Sequence, residues 1–214
     1  MFNFGTAEKI LADLVGVPEG NGSRFRAKLK QLQRMGFPDA INVGRSTNAA
    51  YGPVQIFQLA IALELIQLGL TPERATANVR RWWDTFRSAI ISVPNRGSPV
   101  AIFLLPADAS SLAHGANQAD GANPWASYGV MVVSLDAADD PNRGNDAIDG
   151  LLTLTSLPRT LGISISTLVQ NLRDHCEKAG LDWPAFWREV EKWSEDKDVF
   201  GQKLSRYINN ASNS

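Results

Sequence analysis

Positively charged side chains are concentrated in residues 23–35, a segment that contains no acidic residue. They are Arg24, Arg26, Lys28, Lys30 and Arg34. Because Arg26, Lys30 and Arg34 recur at every fourth position, a helix would align them in one exposed stripe. Guanidinium and ammonium groups donate hydrogen bonds to phosphates, and arginine also donates to base edges, so the pattern is typical of contact with DNA. A solvated amphipathic helix has the same pattern, and charge alone does not separate the two.

The apolar residues between these charges predict a helix that presents them. They follow the i, i+4, i+7 spacing, which gathers them on the face away from the basic stripe. These residues are Phe25, Leu29 and Leu32. We expect Ser23 to cap the start of this helix and Gly36 to end it in a left-handed conformation.

Three further helices are predicted around the basic one. The first is capped by Thr6 and ends at Gly16. The segment Pro53–Leu68 is apolar around nearly its whole circumference, which only a central, buried helix satisfies. The pair Thr71-Pro72 is a cap followed by proline at the first helical position, and it opens a helix with one continuous apolar stripe. The stripe consists of Ala75, Val79, Trp82, Phe86 and Ile90.

A polar, glycine-containing segment, residues 39–51, separates the basic helix from the central one. It has the size of a wing, and we expect a brief strand from Ala40 to Val43 within it. A short helix, a basic helix, a wing and a buried helix follow one another in a winged helix-turn-helix. In that layout the wing would reach a phosphate or the minor groove through polar residues near its tip. These are Arg45, Ser46, Thr47 and Asn48.

Residues 30–75 resemble the DNA-binding domain of MerR-type regulators. The resemblance lies in Lys30-Gln-Leu-Gln-Arg34-Met-Gly36-Phe37-Pro38, in Tyr51-Gly-Pro-Val54 and in Leu65-Ile-Gln-Leu-Gly69-Leu70-Thr71-Pro-Glu73-Arg-Ala75. In that family a recognition helix ends at a glycine, a wing ends at a tyrosine, and a helix with leucine-glycine precedes a capped helix.

The resemblance implies that Lys30 and Arg34 occupy recognition-helix positions and that Arg45 and Tyr51 bracket the wing. It further implies contact with duplex DNA and a homodimer. The chain departs from the family in a longer first turn, Pro18 to Gly22, and in Ala49, where the family usually has an arginine.

The chain changes character after residue 94. The turn-rich segment 94–99 predicts a boundary between a domain of residues 1–94 and a domain of residues 99–214. Residues 1–96 carry twelve Lys and Arg against seven Asp and Glu, a charge of +5, and residues 97–214 carry nine against fifteen, a charge of −6. Strands at 100–105 and 129–135 and helices at 167–179, 183–195 and 199–209 predict an α+β second domain. We therefore expect a mainly α fold with a small β component, an N-terminal winged helix-turn-helix joined to a C-terminal α+β domain.

The residues that most enzymes use are sparse in this chain. Cys176 is the single cysteine and His114 and His175 are the two histidines, which gives no zinc-ligand spacing and few general bases. The acidic segment 136–149 lacks the ligand spacing of a calcium loop. We expect no enzyme activity, cofactor or metal. The N-terminus lacks the basic segment and the long apolar stretch of a signal peptide, and the most apolar segment is too short to span a bilayer. We therefore expect a cytoplasmic protein without membrane contact.

The expected function is that of a DNA-binding transcriptional regulator. Duplex DNA would be contacted by the basic helix 23–35 and the wing 39–51. The expected DNA-binding residues are Arg24, Arg26, Lys28, Lys30, Arg34, Arg45, Thr47, Asn48 and Tyr51. Two alternatives stay open: a DNA-packaging or recombination accessory factor, and a protein-interaction module in which the basic helix binds an acidic partner.

Overall fold

The computed structural model describes residues 1–41, 50–95, 99–106, 128–134 and 161–194. Within these residues the chain is mainly helical, with one small antiparallel sheet. The helices are α1 (Phe4–Leu14), α2 (Gly22–Arg34), α3 (Pro53–Gln67), α4 (Pro72–Arg81), α5 (Trp83–Ser92), α6 (Ile165–Lys178) and α7 (Trp183–Glu191). The strands are β1 (Val100–Pro106), β2 (Tyr128–Ser134) and β3 (Leu161–Ser164), and single turns of 3-10 helix follow α5 and α7.

The first two helices begin earlier than predicted. Asn3, not Thr6, caps α1, because its side-chain oxygen accepts the backbone N–H of Thr6 at 2.9 Å. The extra turn brings Phe4 within 6.3 Å of the Tyr51 ring, ring centre to ring centre. Ser23 is likewise the second residue of α2, not its cap. The predicted left-handed stops are confirmed at Gly16, with φ of 64°, and at Gly36, with φ of 69°.

Helix α3 is the centre of the molecule, as its all-round apolar sequence predicts. Its residues from Ile56 to Leu63 are all buried, including the polar Gln58. Thr71 caps α4 as predicted, accepting the N–H of Arg74 at 3.4 Å.

The single helix expected after Thr71 is divided into two. Helix α4 ends at Arg81, and α5 begins at Trp83 after a break at Trp82, whose φ and ψ are −109° and 18°. Four of the predicted stripe residues are nevertheless buried, and Trp82 is half-buried. These four are Ala75, Val79, Phe86 and Ile90.

The sheet has the strand order β2-β1-β3, with both pairs antiparallel. Ile102 on the central strand lies opposite Val132 on one side and Ile163 on the other. The side chain of Ser166 ties this sheet to α6, because its hydroxyl accepts the N–H of Val100 at 2.8 Å. Helix α6 starts at Ile165, two residues before the predicted start, with Ser164 as its cap.

The sheet packs on the helices through its alternate residues. Val100, Ile102 and Leu104 are buried, and β1 lies against α5 and α6. The helix expected at 199–209, the acidic segment 136–149 and the long connection at 107–127 lie outside the described residues.

One buried core includes side chains from both sides of the segment 96–98. Phe186 of α7 stacks on Phe2, with ring centres 5.6 Å apart and planes within 3°. The same ring lies 6.0 Å from Phe57 of α3. The helices before and after the segment are therefore packed together, and the division into domains of residues 1–94 and 99–214 stays a prediction about how the chain folds.

The expected wing begins with a turn and not with a strand. Ala40 has a left-handed φ of 60°, so the strand predicted from this residue does not start there. Residues 42–49 lie outside the described residues, and the winged arrangement itself stays a prediction. Within the described part of the chain, none of the helices is both long and apolar enough to cross a membrane.

Candidate nucleic-acid interface

Helix α2 presents a basic face to solvent and an apolar face to the core. Phe25, Leu29 and Leu32 are buried, and they anchor the helix against its neighbours. The five basic residues of this helix, which the sequence predicts to contact DNA, are all exposed. They are Arg24, Arg26, Lys28, Lys30 and Arg34.

The basic residues of α2 occupy both flanks and the centre of its exposed face. A step of four residues turns an α-helix by about 40°, so Arg26, Lys30 and Arg34 advance from one flank to the middle of that face. Arg24 and Lys28 lie on the opposite flank. A polyanion lying along α2 would therefore meet positive charge across the width of the helix.

The flank of α2 that carries Arg26 is joined to α1 by an ion pair. Arg26 Nε donates to both carboxylate oxygens of Glu8, at 2.9 Å each. The Glu8 side chain is 12% exposed and that of Arg26 is 57% exposed. This hydrogen bond and the charge of Glu8 raise the pKa of Arg26 above its ordinary value. The guanidinium is thus held from its inner edge by a well-covered carboxylate.

Tyr51 lies in the core and not on the proposed interface. Its side chain is 1% exposed, and its hydroxyl accepts a hydrogen bond from Gln33 of α2. Burial raises the pKa of the Tyr51 phenol, partly opposed by that hydrogen bond. Its backbone exchanges two hydrogen bonds of 2.8 Å with Phe2. The expected contact between Tyr51 and DNA is corrected accordingly: the ring positions α2 and does not face solvent.

Polar contacts fix the chain immediately after α2. The backbone N–H of Asp39 donates to Gln58 Oε1 at 3.0 Å, and its carbonyl accepts from Gln55 Nε2 at 3.2 Å. Gln55 Oε1 also accepts the N–H of Gly52 at 2.9 Å. The first turns of α3 therefore hold both ends of the segment that leads from α2 to α3.

Arg80 of α4 holds the C-terminal end of α2. It donates through Nη2 to the Gly36 carbonyl at 2.6 Å and through Nε to Asp39 Oδ1 at 2.8 Å. Its guanidinium also lies 5.5 Å from the centre of the Phe37 ring. These contacts set the direction of α2 relative to α4.

The remaining predicted contacts lie outside the described residues. Arg45, Thr47 and Asn48, with Ser46 beside them, are in the segment 42–49. The contacts of Glu8 and Arg80 with α2 and its C-terminal end were not predicted from the sequence, because each contact joins residues that are far apart in the chain. One of two acidic residues on α1 and one arginine among several on α4 give no local signal of such pairing.

Other chemistry is sparse in the described part of the chain. Among those residues there is no group of three or more His, Cys, Asp or Glu side chains that could hold a metal ion. The single thiol, Cys176, is fully buried, and burial raises its pKa to about 12. A crevice of about 190 Å³ beside Lys28 is lined mostly by apolar residues of the α1–α2 turn and α3. This volume is below that of most small-molecule sites.

A scan against protein-family models found no match, and searches of the curated proteins and of the solved structures also found no similar protein.

Proposed function

We propose that this protein binds duplex DNA through the exposed basic face of α2, as a transcriptional regulator with a winged helix-turn-helix. The observation that carries the proposal is the division of α2 into a buried apolar face and a solvent-exposed face with five cations and no carboxylate. A helix of this kind fits the major groove of DNA, which has phosphates along both sides and base edges along its floor.

The surroundings of α2 support a rigid fit into a groove. The helix is held at three points besides its core contacts: by Glu8 on α1, by Tyr51 before α3 and by Arg80 on α4. A helix held on this many sides loses little conformational freedom on binding, and preorganisation of this kind raises affinity.

A homodimer is part of the proposal. One helix with five cations supplies only a few phosphate contacts, and two-fold pairing on a two-fold site doubles them. We assign dimerisation or partner contact to the part of the chain after residue 99. In the wing, Arg45, Thr47 and Asn48 would add contacts to the DNA backbone.

The test is fluorescence anisotropy of the whole protein with a labelled random-sequence duplex, measured across a series of salt concentrations. The test variant combines Arg26→Gln, Lys30→Gln and Arg34→Gln, which keep the aliphatic stems and the helix propensity. The control variant combines Lys178→Gln, Arg188→Gln and Lys192→Gln, which removes three exposed cations from α6, α7 and the turn after it.

The wild type is expected to bind with a steep negative salt dependence. Because each phosphate contact contributes about 0.9 to the slope of log K against log salt, the test variant should lose about 2 to 3 from that slope. The control should keep most of it. Absence of binding at low salt, or an equal loss in both variants, would overturn the proposal and favour a protein-interaction module. Large assemblies in a solution mass measurement would favour a DNA-packaging or recombination factor over a dimer.

A further inference from the structure

Arg26 differs from the other cations of α2 in the way its side chain is held. Its Nε is engaged by both oxygens of Glu8, at 2.9 Å each. For the two terminal nitrogens of Arg26, no acceptor is found among the described residues. No ion pair of this kind is found in the described structure for Lys30 or Arg34. Glu8 therefore holds the guanidinium through Nε and does not use its end edge, which carries one N–H of each terminal nitrogen.

The geometry points to Arg26 as the residue that reads guanine in the major groove, with Glu8 as the positioning residue that aims it. This inference rests on the proposed DNA-binding function. A guanidinium approached through its two terminal nitrogens is complementary to the O6 and N7 acceptors of guanine, which accept two parallel hydrogen bonds. Lysine, a point charge on a flexible stem, cannot reproduce that pair.

The place of Arg26 along α2 agrees with this assignment. It is the fifth residue of the helix, and in helix-turn-helix proteins the N-terminal residues of the recognition helix contact base edges. Lys30 and Arg34 lie one and two turns further along, where the phosphate backbone is the expected partner. The face thus divides into one arginine that is oriented by a carboxylate, for base recognition, and exposed cations without such a partner among the described residues, for affinity.

A competing effect of Glu8 has the opposite sign. A carboxylate beside a phosphate-binding arginine neutralises it and lowers affinity for any sequence. The two effects separate by experiment, because loss of orientation lowers the preference for guanine, whereas loss of competition raises affinity for all sequences alike.

The experiment selects binding sites from a pool of random duplexes with the wild-type protein. The affinity of the best duplex is then compared with that of the same duplex carrying adenine, or 7-deazaguanine, at each guanine in turn. The variants are Glu8→Gln and Arg26→Lys. The control is Asp13→Asn, which removes one exposed negative charge from α1 without touching Arg26.

We expect the wild type to lose roughly 5- to 100-fold in affinity when one particular guanine is changed to adenine. Loss of N7 alone, in 7-deazaguanine, should weaken binding at the same position. In Glu8→Gln and in Arg26→Lys this preference should fall below about threefold. Asp13→Asn should keep the full preference.

Two outcomes overturn the inference while leaving the proposed function intact. One is a wild type that binds random duplex but shows no guanine whose N7 matters. The other is a Glu8→Gln variant that keeps the preference and gains affinity equally for all sequences, which is the signature of competition. Failure of the wild type to bind any duplex at low salt would instead overturn the proposed function, and the inference with it.

Discussion

Replacing Phe186 by alanine tests whether the helices on the two sides of residues 96–98 form one cooperative unit. Phe186 is 7% exposed and belongs to α7. Its ring contacts Phe2 at 5.6 Å, Trp183 at 5.1 Å and Phe57 at 6.0 Å, measured between ring centres. The substitution therefore removes contacts to the N-terminus and to α3 as well as to its own helix.

The expected loss of unfolding free energy is large. Truncating a buried phenylalanine to alanine costs about 3 to 5 kcal/mol. Each well-placed aromatic pair adds about 0.5 to 1.5 kcal/mol beyond the buried area, and three such pairs place Phe186 in the upper half of that range. A loss of about 4 kcal/mol is a substantial share of the total stability of an ordinary domain.

Denaturant unfolding followed by circular dichroism gives the free energy of unfolding. Hydrogen exchange with mass spectrometry shows which helices unfold together. If α3 and α7 belong to one unit, peptides from both should lose protection together in the variant. The control is Leu68→Ala, a residue that is 43% exposed and should change stability by about 0.5 kcal/mol or less. A loss under about 1 kcal/mol, or a loss of protection confined to α7, would refute the reasoning and support two independent domains.

Three smaller predictions concern single positions. The Cys176 thiol is buried with a pKa of about 12, so a thiol reagent at neutral pH should modify it only as fast as the protein unfolds; rapid labelling of the native protein would contradict this. Gly36 has a φ of 69°, so Gly36→Ala should lower the unfolding free energy by about 1 kcal/mol, and an unchanged denaturation midpoint would count against a left-handed residue there. Burial raises the pKa of Glu64, so this carboxyl group binds its proton more tightly in the folded state than in the unfolded state. The stability of the protein therefore declines as the pH rises above the unfolded pKa of about 4.5. Glu64→Gln should therefore stabilise the protein at pH 7 and lose that advantage below pH 4; equal stabilisation at both pH values would contradict the assignment.

The parts of the fold that depend on short-range chemistry could be predicted from the sequence. Gly16 and Gly36 end helices because a left-handed residue is needed just past the last turn, and both have positive φ. Phe25 and Leu29 are one turn apart, and this spacing alone gives the inner face of α2. Thr71 caps α4 because its hydroxyl reaches a free N–H of the first turn.

The parts that depend on tertiary contact could not be predicted. The break at Trp82 has no glycine or proline to signal it, and the apolar stripe continues across it because α4 and α5 bury the same side against the core. The segment around Tyr51 is polar and does not predict that this ring is buried. Its burial depends on tertiary pairing with Phe2 and Gln33. The pairing of Arg26 with Glu8 joins two helices, and neither periodicity nor composition encodes it.

The charges of α2 are not those that helix stability favours. Arg24 and Lys28, Arg26 and Lys30, and Lys30 and Arg34 are like-charged pairs at i, i+4, and each such pair opposes the helix by about 0.2 to 0.5 kcal/mol.

Helix α6 shows the stabilising alternative. There Arg173 pairs with Glu177 at 2.9 Å across the same spacing. Among the described residues, Glu8 is the carboxylate that pairs with a cation of α2. Proteins give up such local rules of stability mainly at functional sites, so three repulsive pairs on one helix are expected if α2 is such a site. A polyanion lying along α2 would screen those repulsions, so DNA binding and the stability of α2 should be coupled, each increasing the other.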